Sequence, residues 1–461
     1  METYPHLVCQ HREDMSDGSL EPTVRGEPPG SASASAAIFR FWLPLAATWL
    51  MMAAEGPFVA ALVARLPEPK YNLAAFGVAL ALAFVAESPI LMMLAASTAL
   101  ARDRESLRRV RRFSLLMNGA VTVAMVLIAL PPVFGFLASR VLALPPPVAD
   151  RAQLAVAMFL PWPAAIGFRR FQQGILIGAG RTRLVAYGTV VRLATMAGTG
   201  FLLFLVGGIP GSVVGASALS AGVVVEAVAS WAWARADRER LMLLPPAAPG
   251  EVPTLADIQR FYWPLAVTPL MNMAVLPLVT FFVGRGHLPI ESLAVVPVVN
   301  SFAFLFRTPA LALQEVIIAL GRGGEEALRS LRRFATALGA LSSLAMAAVV
   351  LTPAAGLWFA GVTGLGPDLV PLARRATAVL ILLPAASAAV IWAHARLVML
   401  RTTRLVTWGT VVELTVIAAA LGAGIAFTHV PGAIVASASV LAGRCTGALF
   451  LVAARATQPR P

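Results

Sequence analysis

The sequence predicts an all-α integral membrane protein of 12 transmembrane helices, built as two six-helix lobes related by a parallel pseudo-two-fold repeat. Three observations carry that prediction: an apolar composition, recurrent apolar runs of membrane-spanning length, and a match of the chain to itself at an offset near 220 residues. Of the 461 residues, 58% are apolar and 13% charged, where soluble proteins average about 45–50% and about 25%. That balance excludes an ordinary soluble enzyme. Cys9 and Cys445 are the two cysteines and the five histidines are scattered, so neither a disulfide framework nor a clustered metal site is expected. The net charge of +13 comes from 36 basic residues, of which Lys70 is the one lysine. Because these residues interrupt apolar runs, they fit cytoplasmic loops and not a nucleic-acid surface.

Taken in order, residues 1–38 carry Glu13, Asp14, Asp17, Glu21 and Glu27 and a Gly/Ser/Ala stretch, which predicts a disordered cytosolic tail without a signal peptide. The N-terminal lobe, 39–235, holds apolar spans at 39–64, 72–100, 113–139, 151–178, 184–207 and 211–234. A Pro-rich polar linker, 236–258, leads into the C-terminal lobe, 259–455, with spans at 259–284, 292–320, 334–360, 371–398, 405–427 and 431–454. At about 1.5 Å rise per residue, each run is long enough to cross a hydrocarbon core. These runs are numbered spans 1 to 12.

Arginines concentrate in the loops after spans 2, 4, 6, 8 and 10. Examples are Arg102, Arg104, Arg108 and Arg109, then Arg169, Arg170, Arg181 and Arg183, then Arg329, Arg332 and Arg333. The alternate loops are poorer, so the positive-inside rule places both termini in the cytoplasm of a multi-pass plasma (inner) membrane protein, with the lipid bilayer as its first partner. Arg169 and Arg170 are read here as lying at the cytoplasmic end of span 4.

The repeat lays Phe41-Trp-Leu-Pro-Leu-Ala-Ala-Thr48 over Phe261-Tyr-Trp-Pro-Leu-Ala-Val-Thr268 and matches Pro57 to Pro277, Arg65 to Arg285 and Pro89 to Pro309. One inserted residue later, Glu105 to Phe113 lies over Glu326 to Phe334, and Pro210-Gly211 over Pro431-Gly432. An even number of spans per copy makes the repeat parallel, so equivalent residues sit at the same depth, and a cleft between the lobes suits alternating access.

Charges deep within apolar spans are costly, and each needs a role. Eight qualify: Glu55, Glu87, Arg192, Glu226, Arg307, Glu315, Glu413 and Arg444. The repeat makes Glu87 equivalent to Arg307 and Arg192 equivalent to Glu413, with signs exchanged between lobes. Two arrangements stay open. Glu87 pairs with Arg192 and Arg307 with Glu413 inside each lobe, or Glu87 and Arg307 face each other across the cleft, where Pro89 and Pro309 bend their helices. Glu55, Glu315 and Glu413 are candidates for coupling to a proton or sodium ion. Asn272, Asn300 and Gln314 are polar candidates for the cleft wall or for bonds between helices. The Gly180-Arg-Thr-Arg183 loop is read as a membrane-surface anchor or a gate, and His394 as a proton relay or a packed histidine. No catalytic constellation, metal site or cofactor is expected.

The Pro-Leu-Ala-x-Thr starts at Pro44 and Pro264, with the Gly180-Arg-Thr-Arg183 loop, resemble the MATE-like multidrug/oligosaccharidyl-lipid/polysaccharide (MOP) exporter superfamily over about residues 39–454. Within it, Phe261-Tyr-Trp-Pro-Leu-Ala, Val283-Gly-Arg285, Glu291-Ser-Leu-Ala-Val, Leu351-Thr-Pro353 and the run from Leu383-Pro to His394-Ala look most like the progressive ankylosis (ANK) transporter family. Glu413 departs from that family's more frequent arginine, so its substrate site does not transfer by motif. The resemblance implies a MATE-like fold and a secondary active transporter exporting a small, anionic organic solute; a monomer is expected. Alternatives are a cation or drug antiporter driven by protons or sodium, and a lipid-linked sugar flippase. A built-in nucleotide engine is not expected, since no Gly-x-x-x-x-Gly-Lys-Ser/Thr loop is present.

Overall fold

The computed structural model describes residues 31–245, 252–321, 324–400 and 402–456, so most of the expected tail lies outside the described residues. Every element there is helical apart from one isolated bridge between His287 and Pro431. Among the described residues, eleven helices are long and apolar enough to cross a membrane. The twelfth span, the fourth in chain order, is present as two pieces, Pro146–Met158 and Trp162–Gly178. Asp150, Arg151, Arg169 and Arg170 dilute its apolar character. The result is a layout of 12 spans in two lobes.

The duplication is written into backbone irregularities as well as sequence. Span 1 breaks at Ala54, between Ser31–Ala53 and Glu55–Ala64, and span 7 breaks at the equivalent Ala274, between Leu255–Met273 and Val275–Val283. Glu68 and Leu288, again equivalent, both take left-handed backbone conformations with φ of 52° before the prolines that open spans 2 and 8. Such φ values are costly for non-glycine residues, and their recurrence shows that each lobe reproduces the same turn. The proline bends are less alike. Span 2 runs as Pro69–Glu87, a 3-10 turn Ser88–Ile90 around Pro89, then Met93–Leu100. Span 8 carries Pro309 inside Pro289–Leu311 and is interrupted afterwards, at Ala312.

Within each lobe the last two spans pack most closely, Thr182–Val206 on Gly211–Trp233 and Thr403–Phe427 on Gly432–Ala456. Glycines allow it: a Cβ on Gly222 would sit 2.9 Å from the Arg192 carbonyl, and one on the equivalent Gly443 2.8 Å from that of Glu413. The lobes meet through spans 1, 2, 7 and 8, and one apolar core runs through both. Near the middle of that seam Gly77 faces its own repeat equivalent, Pro297, so the pseudo-two-fold axis passes between spans 2 and 8 here. A Cβ on Gly77 would come within 2.5 Å of the Pro297 ring.

Helix starts at the arginine-rich end are capped from the sequence. Asp103 accepts from the Glu105 and Ser106 amides at 2.8 and 3.0 Å, opening span 3. Thr254 and Asp257 form a reciprocal capping box before span 7, and these hydrogen bonds hold the Asp257 carboxyl below the usual carboxylate range.

Candidate functional site

Polar groups inside an apolar bundle must satisfy one another, and in the N-terminal lobe they do so as a connected cluster. Glu226 on span 6 is 1% exposed and receives Arg169 from span 4, Arg192 from span 5 at 3.6 Å, and the Gln173 amide at 3.2 Å. Arg192 also bonds Glu55 of span 1, tying four spans together. Glu87 on span 2 accepts from the Trp162 indole N–H. Arg170 stands beside the cluster with its Nε buried and without a hydrogen-bond partner. Three carboxylates, Glu55, Glu87 and Glu226, thus face three guanidinium groups, Arg169, Arg170 and Arg192.

The C-terminal lobe is built differently. Arg444 on span 12 meets Glu413 on span 11 at 3.0 Å. Arg307 on span 8 donates through Nε to the Ser387 hydroxyl of span 10 at 3.2 Å and has no carboxylate within ion-pair distance among the described residues. Arg444 and Glu413 are the charges that act on it. Two arginines and one carboxylate leave this site with an excess positive charge, and the half-buried Arg307 guanidinium, which cannot shed its proton, favours an anion at its free edge.

Neither arrangement drawn from the sequence occurs. Arg192 engages Glu55 and Glu226 instead of Glu87, Glu413 engages Arg444 instead of Arg307, and Glu87 and Arg307 each face inward to their own lobe. The repeat fixes depth along a helix but not the direction in which a side chain leaves it. The placement of Arg169 and Arg170 at the cytoplasmic end of span 4 does not hold: both lie inside Trp162–Gly178, Arg169 paired with Glu226 and Arg170 beside the cluster. The signal was a polar turn, Arg169-Arg170-Phe171-Gln172-Gln173, opposite an unpaired Glu226 at matching depth. Glu315, Asn272, Asn300 and Gln314 are exposed and stand outside both clusters. His394 is half-buried on span 10. The Gly180 to Arg183 loop is tied to the end of span 6 and the following linker, through Arg181 to the Trp233 carbonyl at 3.3 Å and to Asp237 at 3.0 Å.

Side chains also cross between lobes at both ends of the seam. Toward the arginine-rich end Trp42 donates to the Pro309 carbonyl at 2.9 Å and Tyr262 to the Pro89 carbonyl at 2.5 Å. At the opposite end Arg65 reaches the Gly361 and Val362 carbonyls at 2.7 and 2.9 Å, and Arg285 reaches the Arg140 carbonyl at 3.0 Å. Lys70 pairs with Glu291 nearby.

No protein-family model matches the sequence, and no curated protein matches it. Solved structures do match in fold. An inward-facing multidrug resistance MATE family transporter of the MOP superfamily superposes with a TM-score of 0.62 at 14% identity, covering 93% of this chain and 100% of that one. The lipid II flippase MurJ in an inward closed conformation gives 0.67 at 11% identity, over 90% and 88%. A MOP superfamily transporter from Pyrococcus furiosus, described as having a binding pocket of reverse polarity, gives 0.58 at 15% identity, over 94% and 98%. The chain therefore has the fold of MATE and MOP-superfamily transporters.

Proposed function

We propose that this chain is a secondary transporter that carries a small organic anion across the cell membrane, by alternating access between its two lobes, with Arg307 as the anion contact. The observation that carries the reading is the Arg307 guanidinium, within span 8 and bonded among the described residues to Ser387 alone. In a medium without water, an arginine left without a carboxylate is retained where an anion completes it. The positive-inside rule supports a cytoplasmic position for the arginine-rich end of the bundle and for both termini. The driving ion, a proton or sodium, is assigned to the N-terminal cluster, where Glu55 is more open than Glu226, with side chains 14% and 1% exposed. Exchange of one arginine between Glu55 and Glu226 would let Glu55 take up and release a cation.

Within this reading the ankylosis-like branch is the assignment for the substrate class, a multiply charged metabolite such as citrate, a nucleotide or pyrophosphate. A lipid-linked diphosphate is the second reading, prompted by the likeness to the lipid II flippase. The test is efflux from proteoliposomes loaded in parallel with labelled citrate, a nucleotide and a cationic dye, using wild type and Arg307→Leu. Anion efflux that is lost in the variant supports the assignment. Dye efflux that survives the substitution overturns it in favour of a cation antiporter.

A further inference from the structure

We propose that Trp42 and Tyr262 are paired inner latches, and Arg65 and Arg285 paired outer latches. Their hydrogen bonds to main-chain carbonyls of the opposite lobe set which side of the cleft opens. The proposal rests on the alternating-access reading and goes beyond it by naming the groups that hold each end shut.

The pairing is symmetric down to the atom accepting the bond. Trp42 and Tyr262 are repeat equivalents, and so are their acceptors, the carbonyls of Pro309 and Pro89. Each ring also packs edge-on against a phenylalanine of the opposite lobe's third span. Trp42 lies 5.9 Å from Phe334 and Tyr262 5.0 Å from Phe113, between ring centroids, and these phenylalanines are equivalent too. At the other end Arg65 and Arg285 are equivalent, and their acceptors Gly361 and Arg140 correspond across the repeat. Unconstrained duplicated lobes would lose such cross-lobe contacts as their sequences drifted. Here the four donors recur in both halves, although the inner pair is tryptophan in one and tyrosine in the other.

The acceptors explain how a latch senses the interior. Carbonyls in the last turn before a helix interruption lack an intrahelical partner. Pro89 lies in the 3-10 turn that breaks span 2, and Pro309 in the last turn before the break at Ala312. Each proline follows a central charge, Glu87 or Arg307, by two residues. A solute drawing on Arg307 would therefore turn the segment that presents the Trp42 acceptor. A change at Glu87 would act on Tyr262 in the same way. The inner latches are buried, the rings of Trp42 and Tyr262 being 7% and 0% exposed, whereas Arg65 is exposed. Opening the inner end must break bonds shielded from water, while water can replace the outer ones.

The test uses the full chain in lipid nanodiscs with paired spin labels, in a Cys9→Ser and Cys445→Ala background. Arg104→Cys with Glu325→Cys reports the arginine-rich end, and Val206→Cys with Phe427→Cys the opposite end. Tyr262→Phe deletes one hydroxyl and keeps the ring. It is expected to raise the population with long distances at the arginine-rich end about fivefold, the worth of one neutral hydrogen bond. Trp42→Phe should act in the same direction and Arg285→Gln in the opposite one, with Tyr262→Phe/Arg285→Gln returning toward wild type. Unchanged distances in both Tyr262→Phe and Trp42→Phe overturn the proposal, as does a shift of the same end by Arg285→Gln. No solute enters this measurement, so a failure of the anion reading is separable. Variants that shift the distances while no anion moves would overturn that reading and keep the latches.

Discussion

The two lobes share one chain path and differ in how they treat buried charge. In the N-terminal lobe Glu226 gathers Arg169 and Arg192, Arg192 holds Glu55, and the indole of Trp162 satisfies Glu87. In the C-terminal lobe Glu413 takes Arg444, and Arg307 is left with the Ser387 hydroxyl. The sign reversal at positions 87 and 307 therefore does not join the lobes to each other. It separates a lobe whose cluster holds three carboxylates for three guanidinium groups from a lobe where Glu413 stands against Arg444 and Arg307. The two lobes are equivalent scaffolds, and a few residues that differ at matched depth give them different charge arrangements.

Breaking the self-contained cluster should have the largest effect on folding. Glu226→Ala removes the carboxylate that two arginines share, and leaving buried charges uncompensated costs about 3–5 kcal/mol. A large fall in thermal midpoint in detergent, with Glu226→Gln intermediate, is the expected outcome; an unchanged midpoint would show that the cluster is solvated. Arg307→Leu should behave in the opposite sense. An arginine without a carboxylate contributes desolvation cost and little Coulombic gain, so the midpoint should hold or rise. Anion efflux should fall about ten- to a hundredfold, the worth of a charge-assisted hydrogen bond. A midpoint that falls as it does for Glu226→Ala would erase the contrast between lobes.

The contrast was half legible in the sequence. The 12 spans, the parallel repeat and the equivalence of Glu87 with Arg307 follow from periodicity and offset, because these properties lie along the chain. Partner choice does not, because it depends on the direction in which each side chain leaves its helix. Glu87 and Arg192 sit in the same lobe, yet Trp162 and Glu55 are the groups within reach. Arg169 and Arg170 were hidden by the rule that orients the bundle, which counts arginines near span ends and cannot tell a loop residue from one a turn or two inside. The latches Trp42 and Tyr262 stood within the strongest repeat motif, where aromatic conservation between halves reads as packing until the opposing carbonyls are seen.

A smaller effect tests Glu413, the carboxylate that pairs with Arg444. Glu413→Ala leaves Arg444 beside Arg307 without a partner, and the cost should be about 2 kcal/mol in thermal or denaturant unfolding. This is less than for Glu226, since the Arg444 side chain is 18% exposed and can be partly hydrated. Added phosphate or citrate should restore part of the lost midpoint in Glu413→Ala more than in wild type, because the variant has two unpaired guanidinium groups. Equal shifts in both proteins would mean that anions do not reach this lobe.

The smallest effect is expected at the seam's far end, where Lys70 meets Glu291 with side chains 31% and 26% exposed. Their repeat equivalents, Ile290 and Tyr71, form no ion pair, so this contact joins the lobes without a symmetry mate. Exposed pairs are worth about 0–1 kcal/mol and weaken with salt. Lys70→Ala should therefore shift the midpoint slightly at low ionic strength and not at all in about 0.5 M salt. Arg285→Gln should keep its effect on lobe opening under both conditions, because its acceptor is a neutral carbonyl of the opposite lobe and the Phe281 ring braces the guanidinium at 4.0 Å. If salt abolished both effects alike, the outer closure would be a matter of net charge. If it abolished only the first, closure depends on the repeated donor and acceptor geometry, which the ion pair merely accompanies.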